Sequence, residues 1–112
     1  MFHQRTDIEF SASGVLFVDD LGDGVFSIVY CQPYGNDYML SCVEVDTCAD
    51  WIEREELEDY ADDPIETDED LAIVALDYYG LSEFGDPGRI MGLDDVEEIF
   101  DEMGIGSVEW PW

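Results

Sequence analysis

Acidic side chains dominate this sequence, and their charge constrains the fold more than any other feature. The 112 residues include 30 Asp or Glu against three basic residues, all of them Arg, so the formal net charge is −27. Such a chain folds only if apolar burial outweighs the mutual repulsion of its charges. Hydrophobic residues make up 46% of the sequence and aromatic residues 13%, which is enough for one small core. We therefore expect a single acidic domain over residues 1–112, with the carboxylates on its surface.

The first half of the chain has the pattern of β-strands. Four runs either alternate between polar and apolar residues or are rich in β-branched and aromatic ones. These runs are residues 6–10, 14–18, 25–31 and 38–45. Turns that contain glycine, at residues 19–24 and 33–37, separate the last three runs and favour antiparallel hairpins. The pattern predicts an antiparallel β-meander of three to four strands.

The second half has the pattern of helices. We expect about three, over residues 48–62, 68–79 and 94–103. Thr47 with Asp50, and Thr67 with Asp70, are spaced as N-terminal caps of the first two. The first is poorly amphipathic and predicts a bend near residues 53–55. The second is apolar nearly all round, which predicts burial, and the third has one apolar stripe opposite its carboxylates. The fold class is therefore α+β, with the helices packed on the meander.

The sequence offers no set of residues for catalysis. His3 is the only histidine and lies near the N-terminus, so no Ser–His–Asp or Cys–His arrangement can be assembled. Carboxylates occur in pairs throughout, and a glycosidase that used two of them would need a cleft. We therefore expect that the protein is not an enzyme and has no catalytic residues.

Metal and cofactor motifs are missing as well. The turn at residues 19–24 resembles a calcium loop, but Leu21 and Tyr30 occupy the third and twelfth positions, where oxygen ligands are required. The glycines lack the spacing of a phosphate-binding loop. No C-x-x-C pair occurs, so we expect reduced thiols and no metal or cofactor. The cysteines are Cys31, Cys42 and Cys48.

Charge and hydropathy also predict where the chain acts. Binding to nucleic acid or to an anionic membrane requires clustered basic residues, so neither is expected directly. Residues 1–5 do not have the pattern of a secretory signal. The longest apolar runs, such as residues 15–18 and 71–76, are too short to span a bilayer. These features predict a cytoplasmic protein.

The carboxylates fall into three clusters with almost no opposing charge. Residues 44–70 contain 14 acidic residues in 27, opposed only by Arg54, and further clusters lie at residues 94–102 and 19–23. Ordinary surfaces intersperse both signs of charge, so we interpret these clusters as a surface for a basic partner. The candidate partner-binding residues are Asp19, Asp20, Asp23, Asp50, Glu53, Glu55, Glu56, Glu58, Asp59, Asp62, Asp63, Glu66, Asp68, Glu69, Asp94, Asp95 and Glu98.

A length comparison suggests what such a surface replaces. A domain of this size is about 35 Å across, and duplex DNA carries about 20 phosphates over that length. Small size, extreme negative charge, abundant aromatic residues and the lack of Lys resemble phage-encoded DNA-mimic proteins, the anti-CRISPR and anti-restriction inhibitors. This resemblance concerns overall character and carries over no individual residue. It implies an inhibitor, first anti-CRISPR and then anti-restriction, that blocks the nucleic-acid-binding site of a defence complex in the host cytoplasm.

Two alternatives remain open. An acidic immunity or antitoxin-type protein would cap a basic nuclease through the same electrostatic complementarity. In a halophile, the charge of a cytosolic protein would be an adaptation to salt. In the inhibitor interpretations the partner is a basic nucleic-acid-binding protein or complex: a CRISPR effector, a restriction enzyme or a nuclease.

The C-terminal tail with Trp110 and Trp112 is compatible with a monomer or a homodimer.

A thermal melt at two salt concentrations separates the halophile alternative from the others. Between about 0.05 M and about 2 M KCl the Debye length falls from above 10 Å to below 3 Å. We expect cooperative unfolding by circular dichroism at both concentrations, with the higher melting temperature at high salt because screening weakens the repulsion. A chain that folds only near molar salt would instead support the halophile interpretation.

Overall fold

A computed structural model of the chain describes residues 2–6, 14–62, 64–80, 83–84, 88–105 and 108. Within them, one antiparallel sheet has the strand order β1-β2-β3-β4-β5. Its strands are β1 (His3–Arg5), β2 (Val15–Gly22), β3 (Val25–Tyr34), β4 (Asp37–Asp46) and β5 (Arg89–Met91). The helices are α1 (Arg54–Tyr60), α2 (Asp68–Tyr79) and α3 (Leu93–Glu102). The expected α+β class, a meander followed by helices, is confirmed.

Two-residue turns connect the three long strands. Asp23 and Gly24 join β2 to β3, both with positive φ (55° and 80°), the geometry that matches the twist of a hairpin. Gly35, with φ 64°, begins the equally short turn between β3 and β4. Both turns lie where the sequence predicts them, but each is shorter than the predicted segment (residues 19–24 and 33–37). Strand pairing continues through Asp19 and Asp20 before a bulge.

The sheet is buried on both faces, which explains why residues 15–18 form an unbroken apolar run. One face packs against α2 and α1, and the other packs against α3. We call them the α2 face and the α3 face. The α2 face contributes Leu16, Val18, Phe26, Ile28, Tyr30, Val43 and Val45. The α3 face contributes Val15, Phe17, Val29, Cys31 and Leu40.

Helix α2 agrees closely with its sequence prediction. It begins after Thr67, whose Oγ1 accepts a hydrogen bond from the backbone N–H of Asp70 (3.1 Å), and it ends at Gly80, where φ is 92°. Residues 71–76 are all buried. The sheet covers one side of α2, and Leu57 of α1 with its flanking residues Ile52, Ala61 and Ile65 covers the other. Because α2 is enclosed on two sides, residues 71–76 include no polar stripe that faces solvent.

Helix α1 corrects the prediction for residues 48–62. It covers only Arg54–Tyr60, and it begins within residues 53–55, where a bend in a longer helix was expected. The predicted cap at Thr47 is wrong, because Thr47 Oγ1 instead donates a hydrogen bond to the carbonyl of Gly24 (2.6 Å). Trp51 and Ile52 precede the helix and pack towards α2. Tertiary packing therefore outweighs local helix propensity here.

The edge strands and α3 complete the comparison with the sequence. Strands β1 and β5 were not predicted, because three residues each are too few to show a period of two. Residues 7–10 of the predicted first strand lie outside the described part of the chain. Helix α3 matches residues 94–103 to within one residue, and Val96 and Phe100 of its apolar stripe are buried. No helix in the described ranges has the length and apolarity needed to cross a membrane.

An ion pair joins β1 to the first turn of α2. The guanidinium of Arg5, with 13% of its side chain exposed, contacts the carboxylates of Glu69 and of Asp70, the latter at 2.7 Å. Burial raises the pKa of Asp70. Hydrogen bonds from Arg5 and from the backbone of Glu66 and Thr67, together with the charge of Arg5, lower the pKa by a larger amount. The net pKa therefore lies below its usual value.

Replacement of Arg5 by Gln tests this contact. Two partly buried carboxylates would then face each other without a counter-ion, and we expect a loss of about 2 kcal/mol in the free energy of unfolding, between the costs of exposed and buried pairs. Chemical denaturation at pH 7 measures it. Arg54→Gln is the control, because the Arg54–Glu58 pair (3.2 Å) is half exposed and should contribute at most about 0.5 kcal/mol.

The pH dependence of the same variant provides a second check. Because the folded-state pKa of Asp70 is lowered, its pairing stabilises the fold above the unfolded-state pKa, and that stabilisation is lost as the pH falls through the folded-state pKa. The difference in stability between wild type and Arg5→Gln should therefore shrink in acid. A difference that stays constant down to strongly acidic pH would contradict this assignment.

Candidate partner-binding surface

Nearly all acidic side chains in the described ranges face solvent. Asp19, Glu69, Asp70 and Asp77 are partly buried, the other described carboxylates are exposed, and none is buried. An unpaired carboxylate in the interior would lose its hydration at high cost. The carboxylates therefore form the surface, as the composition predicts, and the question is how the fold groups them.

The fold merges two of the three sequence clusters. The backbone N–H and the Oγ1 of Thr47 both donate hydrogen bonds to the carbonyl of Gly24, at 2.9 and 2.6 Å. The Sγ of Cys48 lies 3.8 Å from the carbonyl of Asp23. These contacts hold the turn between β2 and β3 beside the segment that leads into α1. We call the resulting set the α1 surface: Asp20, Asp23, Asp46, Asp50, Glu53, Glu55, Glu56, Glu58, Asp59 and Asp62.

The third cluster lies on the other side of the sheet. Helix α3 packs on the α3 face through Val96 and Phe100, so its carboxylates point away from the molecule on the side opposite α1. We call them the α3 surface: Asp94, Asp95, Glu97, Glu98, Asp101 and Glu102, all exposed. The candidate residues predicted from sequence therefore divide between two surfaces instead of forming one.

A few candidate residues belong to neither surface. Glu66 and Asp68 are exposed at the start of α2, while Glu69 contacts both Arg5 and His3 and is only 19% exposed. Asp19 is partly buried on β2, where it pairs with Ser27. Asp63 lies outside the described residues. The internal contacts of Glu69 give it a structural role that its position in an acidic run does not reveal.

The carboxylates are spread out instead of converging. In the part of the chain that the structure describes, no group of three or more His, Cys, Asp or Glu side chains could hold a metal ion. Acidic residues three or four positions apart on α1 and α3 have their Cβ atoms about 5–6 Å apart. At about 6 Å in water, two such charges repel by about 0.7 kcal/mol. This spacing suits several separate cationic groups better than one ion.

Sequence reasoning missed a group of aromatic rings beside the α1 surface. Ring centroids lie 5.0 Å apart for Tyr60–Tyr78 and Tyr78–Tyr79, 5.1 Å for Trp51–Tyr79 and 5.2 Å for Trp51–Phe84. Trp51, Tyr60 and Tyr78 remain 48%, 44% and 41% exposed. We call these five rings the aromatic patch. Its sequence signal was the position of Trp51 off the face of the predicted helix that carries Leu57 and Tyr60.

Carboxylates border the aromatic patch. The hydroxyl of Tyr60 donates a hydrogen bond to Asp77 (3.0 Å). The negative charge of Glu56 is the main cause that raises the pKa of Tyr78, to which Glu56 is also hydrogen-bonded. The backbone N–H of Glu53 donates to the hydroxyl of Tyr79 (3.2 Å). The patch thus combines exposed rings with adjacent negative charge.

The buried nucleophilic groups in the described ranges are not activated. Burial raises the pKa of Cys31 to about 11, and burial with the nearby Cys31 and Asp77 raises that of Tyr30 to about 12. Both groups are therefore protonated at neutral pH, whereas an activated nucleophile has a lowered pKa or an adjacent base.

Neither protein-family models, curated proteins nor solved structures yield a match to this chain.

Thiol alkylation tests the junction that merges two clusters. Cys42 and Cys48 are exposed and Cys31 is buried, so we expect neutral iodoacetamide to modify two thiols in the native protein and the third only after unfolding. Mass spectrometry of tryptic and acid-protease fragments identifies the sites. Rapid native modification of Cys31, or protection of Cys48 equal to that of Cys31, would contradict the described packing.

Proposed function

We propose that this protein is a DNA-mimic inhibitor that occupies the nucleic-acid-binding site of a host defence complex, with an anti-CRISPR function ahead of an anti-restriction one. One observation carries the proposal. Exposed carboxylates cover the turn side and both helical sides of the fold, while two of its three arginines pair with the chain's own carboxylates. A surface of this kind repels DNA and attracts the proteins that bind it.

The dimensions support the proposal. The longest axis of the molecule is 40 Å, and a duplex segment of that length carries about 24 phosphate charges. The formal net charge of the chain is −27. The protein therefore presents about as much negative charge per unit length as the DNA segment that it would replace.

The placement of the carboxylates on rigid elements also supports it. Those of α1 and α3 stand on helices anchored in the core by Leu57 and by Val96 and Phe100. Helical anchoring holds them at fixed separations, so the arginines and lysines of a DNA-binding groove can form charge-assisted, often bidentate, hydrogen bonds. Association would be fast at low salt and slower as salt rises. The site of action would be the cytoplasm of the host.

Competition with DNA tests the proposal. Purified CRISPR effector complexes and restriction enzymes are each mixed with labelled target duplex and increasing amounts of the protein, and bound DNA is measured by electrophoretic mobility shift. We expect near-stoichiometric loss of DNA binding by at least one complex. Inhibition of an isolated basic nuclease, with no effect on any DNA-binding complex, would overturn the proposal in favour of an immunity-type protein.

Charge reversal on each surface locates the interface. We expect Glu55→Lys, Glu58→Lys, Asp59→Lys and Asp62→Lys together to weaken inhibition at least about tenfold, because like charges then face the basic groove. The matched comparison makes the same change in charge on the α3 surface: Asp94→Lys, Asp95→Lys, Glu98→Lys and Glu102→Lys. Because the two surfaces lie on opposite sides of the sheet, the variant that loses more inhibition identifies the surface that faces the groove, and we expect it to be the first. If the first variant inhibits fully while folded by circular dichroism, the α1 surface is not the interface.

A further inference from the structure

The aromatic patch is unusual on a surface that is otherwise covered by carboxylates. Three large rings, Trp51, Tyr60 and Tyr78, are each more than two-fifths exposed and lie in one continuous chain of ring contacts. Contiguous exposed apolar groups on a soluble domain commonly mark a site of interaction. Tyrosine and tryptophan are also the residues most enriched among those that dominate binding energy.

The rings are held in place by bonds within the protein. Tyr60 donates to Asp77 (3.0 Å), and Tyr79 donates to the backbone carbonyl of Trp51 (3.3 Å) while accepting from the N–H of Glu53 (3.2 Å). Edge-to-face contacts with interplanar angles of 67–83° hold Tyr60, Tyr78 and Tyr79 against one another. Binding to rings that are already fixed costs little conformational entropy.

The charge around the rings limits what they can bind. Glu53, Glu56 and Asp77 stand at the patch, so a purely apolar partner would have to strip water from carboxylates without compensation. Single-stranded nucleic acid stacks its bases on aromatic rings, but it needs a basic groove for its phosphates. A cation satisfies both features, because it is attracted to the ring faces and to the carboxylates.

Among cations, the guanidinium group fits best. It is planar, stacks on aromatic faces and donates paired hydrogen bonds to a carboxylate, whereas a lysine ammonium is a compact and strongly hydrated point charge. Spaced carboxylates alone favour arginine only through its paired hydrogen bonds. Exposed ring faces add stacking with the planar guanidinium, which a lysine ammonium lacks. Salt screens this close contact less than it screens the attraction between separated surface charges.

We propose that the aromatic patch, with Glu53, Glu56 and Asp77 at its border, is an arginine-binding anchor for a basic protein partner. The inference rests on the proposed function, in that the partner is the arginine-bearing groove of a nucleic-acid-binding complex. In this assignment, the rings make the contact that distinguishes the arginine-bearing groove from other basic surfaces. The carboxylates of the α1 surface supply attraction over a longer range.

Short peptides test the anchor without knowledge of the partner. Hexa-arginine and hexa-lysine are titrated into the full-length protein at about 0.3 M NaCl by isothermal calorimetry. We expect hexa-arginine to bind about fivefold more tightly, the ratio that one or two cation–π contacts provide. In parallel nitrogen-15 spectra the indole N–H of Trp51, assigned with Trp51→Phe, should shift with hexa-arginine.

Variants identify the rings responsible. Tyr78→Ala should reduce the preference for arginine from about fivefold to about twofold, and Tyr78→Phe should retain most of it. Tyr34→Ala is the matched control, because Tyr34 is 53% exposed at the end of β3 and belongs to no contact of the patch. Thermal melts establish that each variant is folded. Should Tyr78→Ala fail to fold, loss of the preference in Tyr60→Ser serves the same purpose.

The outcomes separate the anchor from the proposed function. Equal binding of both peptides by the wild type, or an arginine preference unchanged in folded Tyr78→Ala or Tyr60→Ser, overturns the anchor even if the protein displaces DNA from a defence complex. A preference for arginine that depends on Tyr78, or on Tyr60 where Tyr78→Ala does not fold, supports the anchor even if no complex is inhibited. In that case only the proposed identity of the partner is wrong.

Discussion

The need to keep carboxylates hydrated governs every level of this structure. With 30 acidic residues in 112, only the remaining residues can fill the interior, and the sheet solves this by alternation. Its three long strands direct apolar side chains to two cores, one under α2 and one under α3. Helices then cover both faces and carry the carboxylates outward. Where carboxylates are partly buried on α2, Arg5 pairs with Glu69 and Asp70, and Asp77 accepts a hydrogen bond from Tyr60.

The parts of the fold that local chemistry determines could be predicted from sequence. The prediction for helix α2 was correct at both ends, because Thr67 and Asp70 form its cap and Gly80 ends it. The predicted first helix was too long, because packing of Trp51 against Tyr79, far along the chain, decides where α1 begins. The edge strands were missed because they exist only through pairing with β2 and β4.

The candidate surface divides in the same way. Charge alone identified the acidic clusters, because unpaired carboxylates have to be exposed. Their grouping depends on contacts between distant residues: the hydrogen bond from Thr47 to Gly24 joins two clusters, and the sheet separates the third. The aromatic patch could not be predicted for the same reason, since Tyr60 of α1 and Trp51 before it meet Tyr78 and Tyr79 only when both pack against the end of α2. Functional interpretation needs these contacts as much as the charge.

The two-residue turns have a consequence for how the chain folds. Strands β2, β3 and β4 pair with their immediate neighbours through Asp23–Gly24 and Gly35–Asn36, so the centre of the sheet forms from contacts that are close in sequence. Local pairing of this kind lowers the entropy lost in loop closure and speeds folding. The central hairpins can therefore form early during synthesis, while the like charges of the unfolded segments keep separate chains apart.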